Sequence, residues 1–481
     1  MAPNSHAPRS KARPPAVGRI PWGWLEWFLI AQTFLPALLF VPGVSAVRTP
    51  IRMASFLIAL VAWGMIAQSG RVRSGSLTFP ANFWLKLAAG WLLLLILYWG
   101  TNSIEAGIAH AMLYISVFSP AFWAPAVLAS PKQIGRLMAI LVACNGLSAL
   151  VGLGQVFRPE TFNPPVVAGL QTRSVGILME DVVTYKDDYG RKILRPCGLT
   201  DQAGAASGAG ATAAMIGLAL ALRPIGVLRR GLCLGLAFAG VAVIYYSQVR
   251  MTMLMLVISL IVLVALFSLQ KSFRNATVLG GLAFGMILGA FVWVGATSGE
   301  SVTSRFTELL TTNFAEKYDR SRGGFVREAF TVLIWEYPVG AGLGWWGQIY
   351  GAFGDKTIPT KVWVEVMWPA WIIDGGIPLL LTYFAAIGFA MADTFRIALR
   401  SRDKDLAFWA AVVVASNLSV LATCFSYVTF LTGIGMQFWL LAAAVHAADL
   451  RIRDRDRPPI ARPSAPVPIP SLARTDVSPG S

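Results

Sequence analysis

Between Trp22 and Ala447 the chain falls into about twelve apolar runs, each near the twenty residues that a helix needs to cross a bilayer. They lie near 22–43, 51–69, 83–100, 105–128, 134–156, 203–222, 232–248, 251–269, 277–297, 364–392, 406–427 and 429–447. A chain built from such blocks must satisfy its backbone polar groups inside helices. The expected fold is therefore all-α: a polytopic membrane protein of about 12 transmembrane helices. Only 13% of the 481 residues are charged and 56% are hydrophobic, whereas soluble domains carry roughly 25% charge. That balance excludes a water-soluble globule, a coiled coil and a disordered chain. Residues 1–20 read as a disordered basic N-terminus, 21–450 as one membrane domain, and 451–481 as a disordered Pro/Arg/Ser-rich tail.

The formal charge is +16, which in a soluble protein would suggest nucleic acid. Sorting it by loop gives another meaning. Arg9, Lys11, Arg13 and Arg19 precede the first run, and Arg71 with Arg73 follow the second. Lys132 and Arg136, then Arg223, Arg229 and Arg230, then Lys271 and Arg274 follow the fourth, sixth and eighth. Arg396, Arg400, Arg402 and Lys404 follow the tenth, and Arg451, Arg453, Arg455 and Arg457 the last. Every even gap is basic, so by the positive-inside rule those gaps and both termini are cytoplasmic. Membrane lipids, and no nucleic acid, are the expected surroundings. The odd gaps then face outside and are short, except two larger loops at about 157–201 and 298–363.

The chemistry-bearing candidates lie at that outer side. Arg250 stands where two runs meet in Ser247-Gln248-Val249-Arg250. It either snorkels to lipid headgroups or, as a charge beside apolar helices, has a functional role. The first large loop ends in Arg191-Lys192-Ile193-Leu194-Arg195-Pro196-Cys197-Gly198. It enters a run of Ala, Gly and Ser, small enough for close helix packing, whose helix N-terminus favours anions. In the second loop Phe306, Leu309, Leu310 and Phe314 mark an amphipathic helix. Arg320, Arg322 and Arg327 follow it, and then a glycine-rich turn, Pro338-Val339-Gly340-Ala341-Gly342-Leu343-Gly344. Glu365, Trp368 and Asp374 open the tenth run. A carboxylate there either pairs with a cation or acts as a base. Cys144, Cys197, Cys233 and Cys424 have no metal-ligand spacing, no CxxC or HExxH occurs, and no metal or other cofactor is expected. His110 reads as a packed or hydrogen-bonded residue. The charges gather at the outer rim, and no mid-membrane charge or broken helix is expected.

In their order these segments resemble the O-antigen ligase and polysaccharide polymerase family of bacterial inner-membrane proteins, over roughly residues 195–380. Arg195-Pro196-Cys197-Gly198-Leu199-Thr200 looks like the family's Arg-x-x-Gly entry to a small-residue helix. Ser247-Gln248-Val249-Arg250 looks like its Ser-x-x-Arg opening of an apolar span. Arg327, Trp335, Pro338, Gly340 and Gly342 look like its Arg/Trp-x-x-Pro-x-Gly-x-Gly segment, and Asp374-Gly375-Gly376 like its acidic-x-Gly signature. The family's His-Asn pair is replaced by Glu365-Val366, and its Pro-Asn pair by Asp201-Gln202.

The resemblance implies a metal-independent, inverting glycosyltransferase of the inner membrane, with the two large loops periplasmic. Its donor would be a glycan on a polyprenyl diphosphate, and its acceptor a glycan or lipid A core. Arg250 and Arg327 would clamp the diphosphate with Arg195 assisting, and Glu365 would activate the acceptor hydroxyl. Arg191, Lys192, Arg320, Arg322, Trp368 and Asp374 are secondary candidates. The competing readings are a transporter or flippase of a lipid-linked glycan, and a sensor or structural membrane protein.

Overall fold

The computed structural model describes residues 22–68, 79–128, 130–163, 184–186, 192–298, 318–358 and 364–456. These residues are almost wholly helical, as the apolar runs require. In chain order the helices are α1 (Trp24–Phe34), α2 (Arg48–Gln68), α3 (Asn82–Ile96), α4 (Ile104–Phe118), α5 (Pro120–Val127), α6 (Gln133–Phe157) and the single turn α7 (Pro159–Phe162). Then come α8 (Ala205–Ala221), α9 (Val227–Ser247), α10 (Arg250–Leu269), α11 (Phe273–Ser298), α12 (Gly347–Phe353), α13 (Met367–Arg400), α14 (Lys404–Thr423) and α15 (Gly433–Asp456). Ahead of α8 a small antiparallel ribbon pairs β1 (Thr184–Lys186) with β2 (Lys192–Leu194), Tyr185 opposite Ile193.

Nine helices among the described residues are long and apolar enough to cross a membrane: α2, α4 continued through α5, α6, α9, α10, α11, α13, α14 and α15. Three further expected runs coincide with shorter apolar helices: Trp24–Phe40, α3 and α8. For the first of them the shortness has a local cause. After α1 the chain tightens into a 3-10 turn, Leu35–Phe40, with Pro36 in its first turn. The fifteen residues of α3 rise only about 22 Å against a hydrocarbon core of about 30 Å.

Small residues set the packing on one side of the bundle, where α8 contacts both α6 and α9. A Cβ added to Gly210 would sit 2.4 Å from the Gly240 carbonyl oxygen, and one on Gly240 2.3 Å from that of Gly210. On the other side α13 packs against α3 and α14, and α15 against α5. A continuous apolar core runs through the bundle, with Trp123, Trp371, Trp439 and Tyr383 among its largest fully buried side chains.

Three expectations are corrected. The tail is helical as far as Asp456, because Arg453 pairs with Asp449 one turn back at 2.6 Å and Arg451 donates to the Pro125 carbonyl at 3.2 Å. A helix is broken inside the bundle: α13 contains Gly376 at φ 63°, ψ −155°, with Pro378 two residues on. Ionisable groups are also buried among the helices. Asp374 and His110 face each other at 3.4 Å, Asp393 meets His446 at 2.6 Å, and Glu26 meets Arg136 at 3.1 Å. Each has a partner, which is how such groups are tolerated away from water.

The 319–336 segment forms a helix alternating between α turns and two π segments, Asp319–Gly323 and Ala329–Leu333. It lies against α13. The amphipathic set at Phe306–Phe314 falls outside the described residues, as does Arg191, while Lys192 and Arg320 are described by their backbone alone.

Candidate functional site

The helix ends opposite the basic loops carry an arginine-rich corner built around the start of α8. The approach to α8 is fixed by α6. Gln155 Oε1 accepts the N–H groups of Cys197 and Gly198 at 2.8 and 2.9 Å, and Gln155 Nε2 donates to the Gly198 carbonyl at 2.9 Å. Ser148 Oγ accepts the Leu199 N–H at 3.0 Å. Gly198 has φ +65°, and a Cβ there would lie 2.4 Å from Ser148 Oγ; glycine is required on both counts. Burial pushes the Cys197 thiol up to about 12, with Asp201 adding to the rise and Arg52 opposing it, which disfavours the thiolate.

From this anchored loop Arg195 reaches the Ser247 carbonyl, Nη1 to oxygen 3.5 Å. Its side chain also borders Gly204, as does that of Val249. Ser207 Oγ and Thr252 Oγ1, 3.2 Å apart, tie the starts of α8 and α10 together. Arg195 and Arg250 therefore share one corner, although 55 positions apart in sequence. Between them the α9–α10 turn passes through Gln248, a non-glycine residue at φ 53°. Its amide is 3% exposed, and neither Oε1 nor Nε2 has a hydrogen-bond partner among the described residues. A left-handed, buried and unsatisfied amide costs on the order of 1–3 kcal/mol on each count, and such costs cluster at functional sites.

Two further arginines border this corner, and sequence reasoning passed over them. Asp201, in the loop just before α8, is buried and receives Arg48 Nε at 2.5 Å and Arg52 Nη2 at 2.5 Å, with Arg52 Nε also at 2.9 Å. Both arginines open α2 in the first outer gap, where the positive-inside bias disfavours cations. That anomaly was the available signal.

The candidates of the second loop are arranged differently. Glu365 takes the Arg322 guanidinium, Nε to Oε2 3.6 Å, so of the two readings of this carboxylate the ion pair is present. Arg327 pairs with Asp319 at 2.5 Å on an exposed surface. Arg327 lies on the 319–336 segment against α13, whereas Arg250 opens α10. Trp368 belongs to an aromatic cluster with Phe330, Trp371, Phe384 and Phe425. Tyr318 donates to the Phe425 carbonyl at 2.9 Å, and burial raises its pKa against the opposing Arg322 charge. The turn between α14 and α15 thus carries the Tyr318/Trp368 group at Phe425.

Asp374 is fully buried and held by two side-chain donors. Tyr114 Oη–H donates to its Oδ2 at 2.7 Å and Trp346 Nε1–H to its Oδ1 at 2.8 Å. The Gly344 N–H donates to His110 Nδ1 at 3.1 Å, which leaves Nε2 to carry the proton that faces Asp374. The glycine-rich turn is pressed against the α13 break. Ile377 N–H donates to the Pro338 carbonyl at 2.8 Å, and Ala341 N–H to that of Ile373 at 2.7 Å. A Cβ on Gly376 would lie 2.3 Å from the Pro338 oxygen, and one on Gly342 2.5 Å from the Gly100 carbonyl carbon. Trp345 Nε1 reaches the Gly100 carbonyl at 2.7 Å, and Trp91 Nε1 that of Gly375 at 2.8 Å. The two glycine landmarks are halves of one packed unit, with the irregular backbone enclosed by protein as the membrane interior demands. Compared with known proteins, the chain matches no family model and no curated protein sequence.

Proposed function

We propose that this protein transfers or polymerises a glycan carried on a polyprenyl diphosphate, at the periplasmic face of the bacterial inner membrane, in O-antigen or exopolysaccharide assembly. The observation that carries the reading is the corner formed by Arg195, Gln248 and Arg250 beside Arg48 and Arg52. Guanidinium forks bind phosphate oxygens in pairs, and the orphaned Gln248 amide supplies both a donor and an acceptor.

In this reading Arg250 and Arg195 hold the diphosphate while Arg48 and Arg52, anchored on Asp201, keep the local field positive. The acceptor hydroxyl oxygen attacks the anomeric carbon, the glycosidic C–O bond breaks, and its electron pair leaves with the polyprenyl diphosphate. The hydroxyl proton passes to Glu365, whose position Arg322 fixes. Preorganised cations at a departing diphosphate oppose charge that grows only toward the transition state. Arg327, exposed and paired with Asp319, serves in this reading as a contact along the glycan. The test is the surface polysaccharide of a deletion strain complemented with variants. Arg250→Ala and Arg195→Ala should each lower glycan transfer by about 10²–10³, the usual cost of one such donor, with protein levels unchanged. Full activity in both would refute the assignment.

The break at Gly376 and the buried Asp374–His110 pair favour a second reading, a transporter of lipid-linked glycan, since broken helices and buried charges mark many transporters. The products separate the two. Shortened or unattached glycan on deletion supports transfer, whereas lipid carrier retained in the inner leaflet supports transport.

A further inference from the structure

At the opposite, basic ends of the helices a half-open cavity of about 470 Å³ lies between α6, the α8–α9 connection and α14, a size typical of small-molecule sites. Its rim carries Lys132, Arg223 and Arg229, and its walls are Ala139, Val142, Ala143, Leu220, Leu232 and Leu236. The two acids at the rim are already engaged. Asp405 pairs with Arg223 at 2.8 Å, and Asp403 caps α14 by accepting the N–H groups of Asp405 and Leu406 at 2.9 Å. The Arg223 guanidinium is further fixed above the Phe408 ring, 5.1 Å from its centroid. Lys132 and Arg229 are both exposed, and no ion pair engages either among the described residues.

The cavity is thus graded along one axis. From Lys132 to Ala143 on α6 it passes from charge to methyl groups over eleven residues, about 16 Å of helix. A soluble anion would use only the rim, and an apolar ligand only the walls. From this gradient we infer that the cavity is a binding site for an anionic phospholipid of the inner leaflet, the phosphate between Lys132, Arg223 and Arg229 and one acyl chain along α6. The positive-inside asymmetry sets these helix ends against the cytoplasmic leaflet, which carries such lipids. The site is independent of the glycan chemistry at the far ends of the helices.

The test uses the full-length protein, delipidated in detergent and examined by native mass spectrometry with phosphatidylglycerol, phosphatidylcholine or glycerol 3-phosphate. Phosphatidylglycerol should be retained above phosphatidylcholine, and glycerol 3-phosphate should not compete for the site. Lys132→Gln and Arg229→Gln should each weaken phosphatidylglycerol retention roughly fivefold, as expected for one cation at an anionic lipid surface. Ala143→Phe, which fills the apolar wall, should weaken retention without touching a charge. Equal retention of the two lipids, or unchanged retention in the charge variants, would overturn the site. Displacement of the lipid by glycerol 3-phosphate alone would overturn its lipid character. Both charge variants lie at exposed positions, so they report even if Ala143→Phe fails to fold.

Discussion

Replacing Asp374 by Ala tests whether this carboxyl is a structural lock or a working group. In the folded protein its two oxygens receive Tyr114 Oη and Trp346 Nε1 at 2.7 and 2.8 Å, in surroundings where Asp374 is 0% exposed. Removing the acceptors leaves two buried donors unsatisfied, at about 1–3 kcal/mol each, so roughly 2–6 kcal/mol of stability should be lost. The diagnostic quantity is the double variant. Tyr114→Phe removes one of the donors that Asp374→Ala would orphan, so the pair should be less destabilised than the sum of the single changes. A coupling of about 1–3 kcal/mol is expected, within the range for groups in direct contact. SDS titration in mixed micelles, followed by tryptophan fluorescence, gives the four free energies. Additivity within about 0.5 kcal/mol would refute the lock. So would an Asp374→Ala protein as stable as its parent but without activity, which is the behaviour of a catalytic or transport carboxylate.

Further outcomes follow from other parts of the structure. Gly376→Ala should abolish monodisperse protein in fluorescence-detected gel filtration, because its Cβ would lie 2.3 Å from the Pro338 oxygen, whereas Gly388→Ala, with nothing within 4 Å, should be silent. In a variant retaining only Cys197, a thiol pushed up to about 12 is thiolate at on the order of one part in ten thousand at pH 8. Maleimide should then label it only after unfolding, and rapid labelling of the native protein would contradict its burial. Asp201→Ala leaves Arg48 and Arg52 uncompensated and should destabilise the fold by about 3–5 kcal/mol, read in the same SDS titration; no change would show the pair to be idle. For orientation, Trp99→Cys should react with an impermeant maleimide in spheroplasts and Val227→Cys only after permeabilisation, both sites being more than four-fifths exposed at 89% and 86%. The reverse pattern would invert the topology.

What the sequence could disclose was set by range. Apolar run length is a local signal, so each run coincides with an apolar helix, and only the depth of Trp24–Phe40, α3 and α8 departed from expectation. The small residues of α8 likewise announced close packing, which Gly210 and Gly240 provide. His110 reads as packed or hydrogen-bonded, and it is buried with the Gly344 N–H as its donor. Asp374 could not be resolved the same way, because its partners Tyr114 and Trp346 lie 260 and 28 positions away and nothing local to Asp374 names them. Arg327 reads as lying on a helix against the membrane domain, and the 319–336 helix does lie against α13, with π segments on both sides of Arg327. Arg48 and Arg52 were missed for a different reason. They stand at a short gap, and two cations on the disfavoured side are the anomaly itself.

The packed unit at the α13 break also fixes an order of events in making the protein. Trp91, Thr101, His110 and Tyr114 belong to the first quarter of the chain, yet their partners are Gly375, Leu343, Gly344 and Asp374. Tyr114 is translated 260 residues ahead of Asp374, an interval of roughly 15–50 s at bacterial-to-eukaryotic elongation rates of about 5–20 residues per second. Throughout it the early helices sit in the bilayer with a phenol, an imidazole and an indole N–H that have no native acceptor or donor. The native polar contacts of α3 and α4 can therefore close only after α13 has been made.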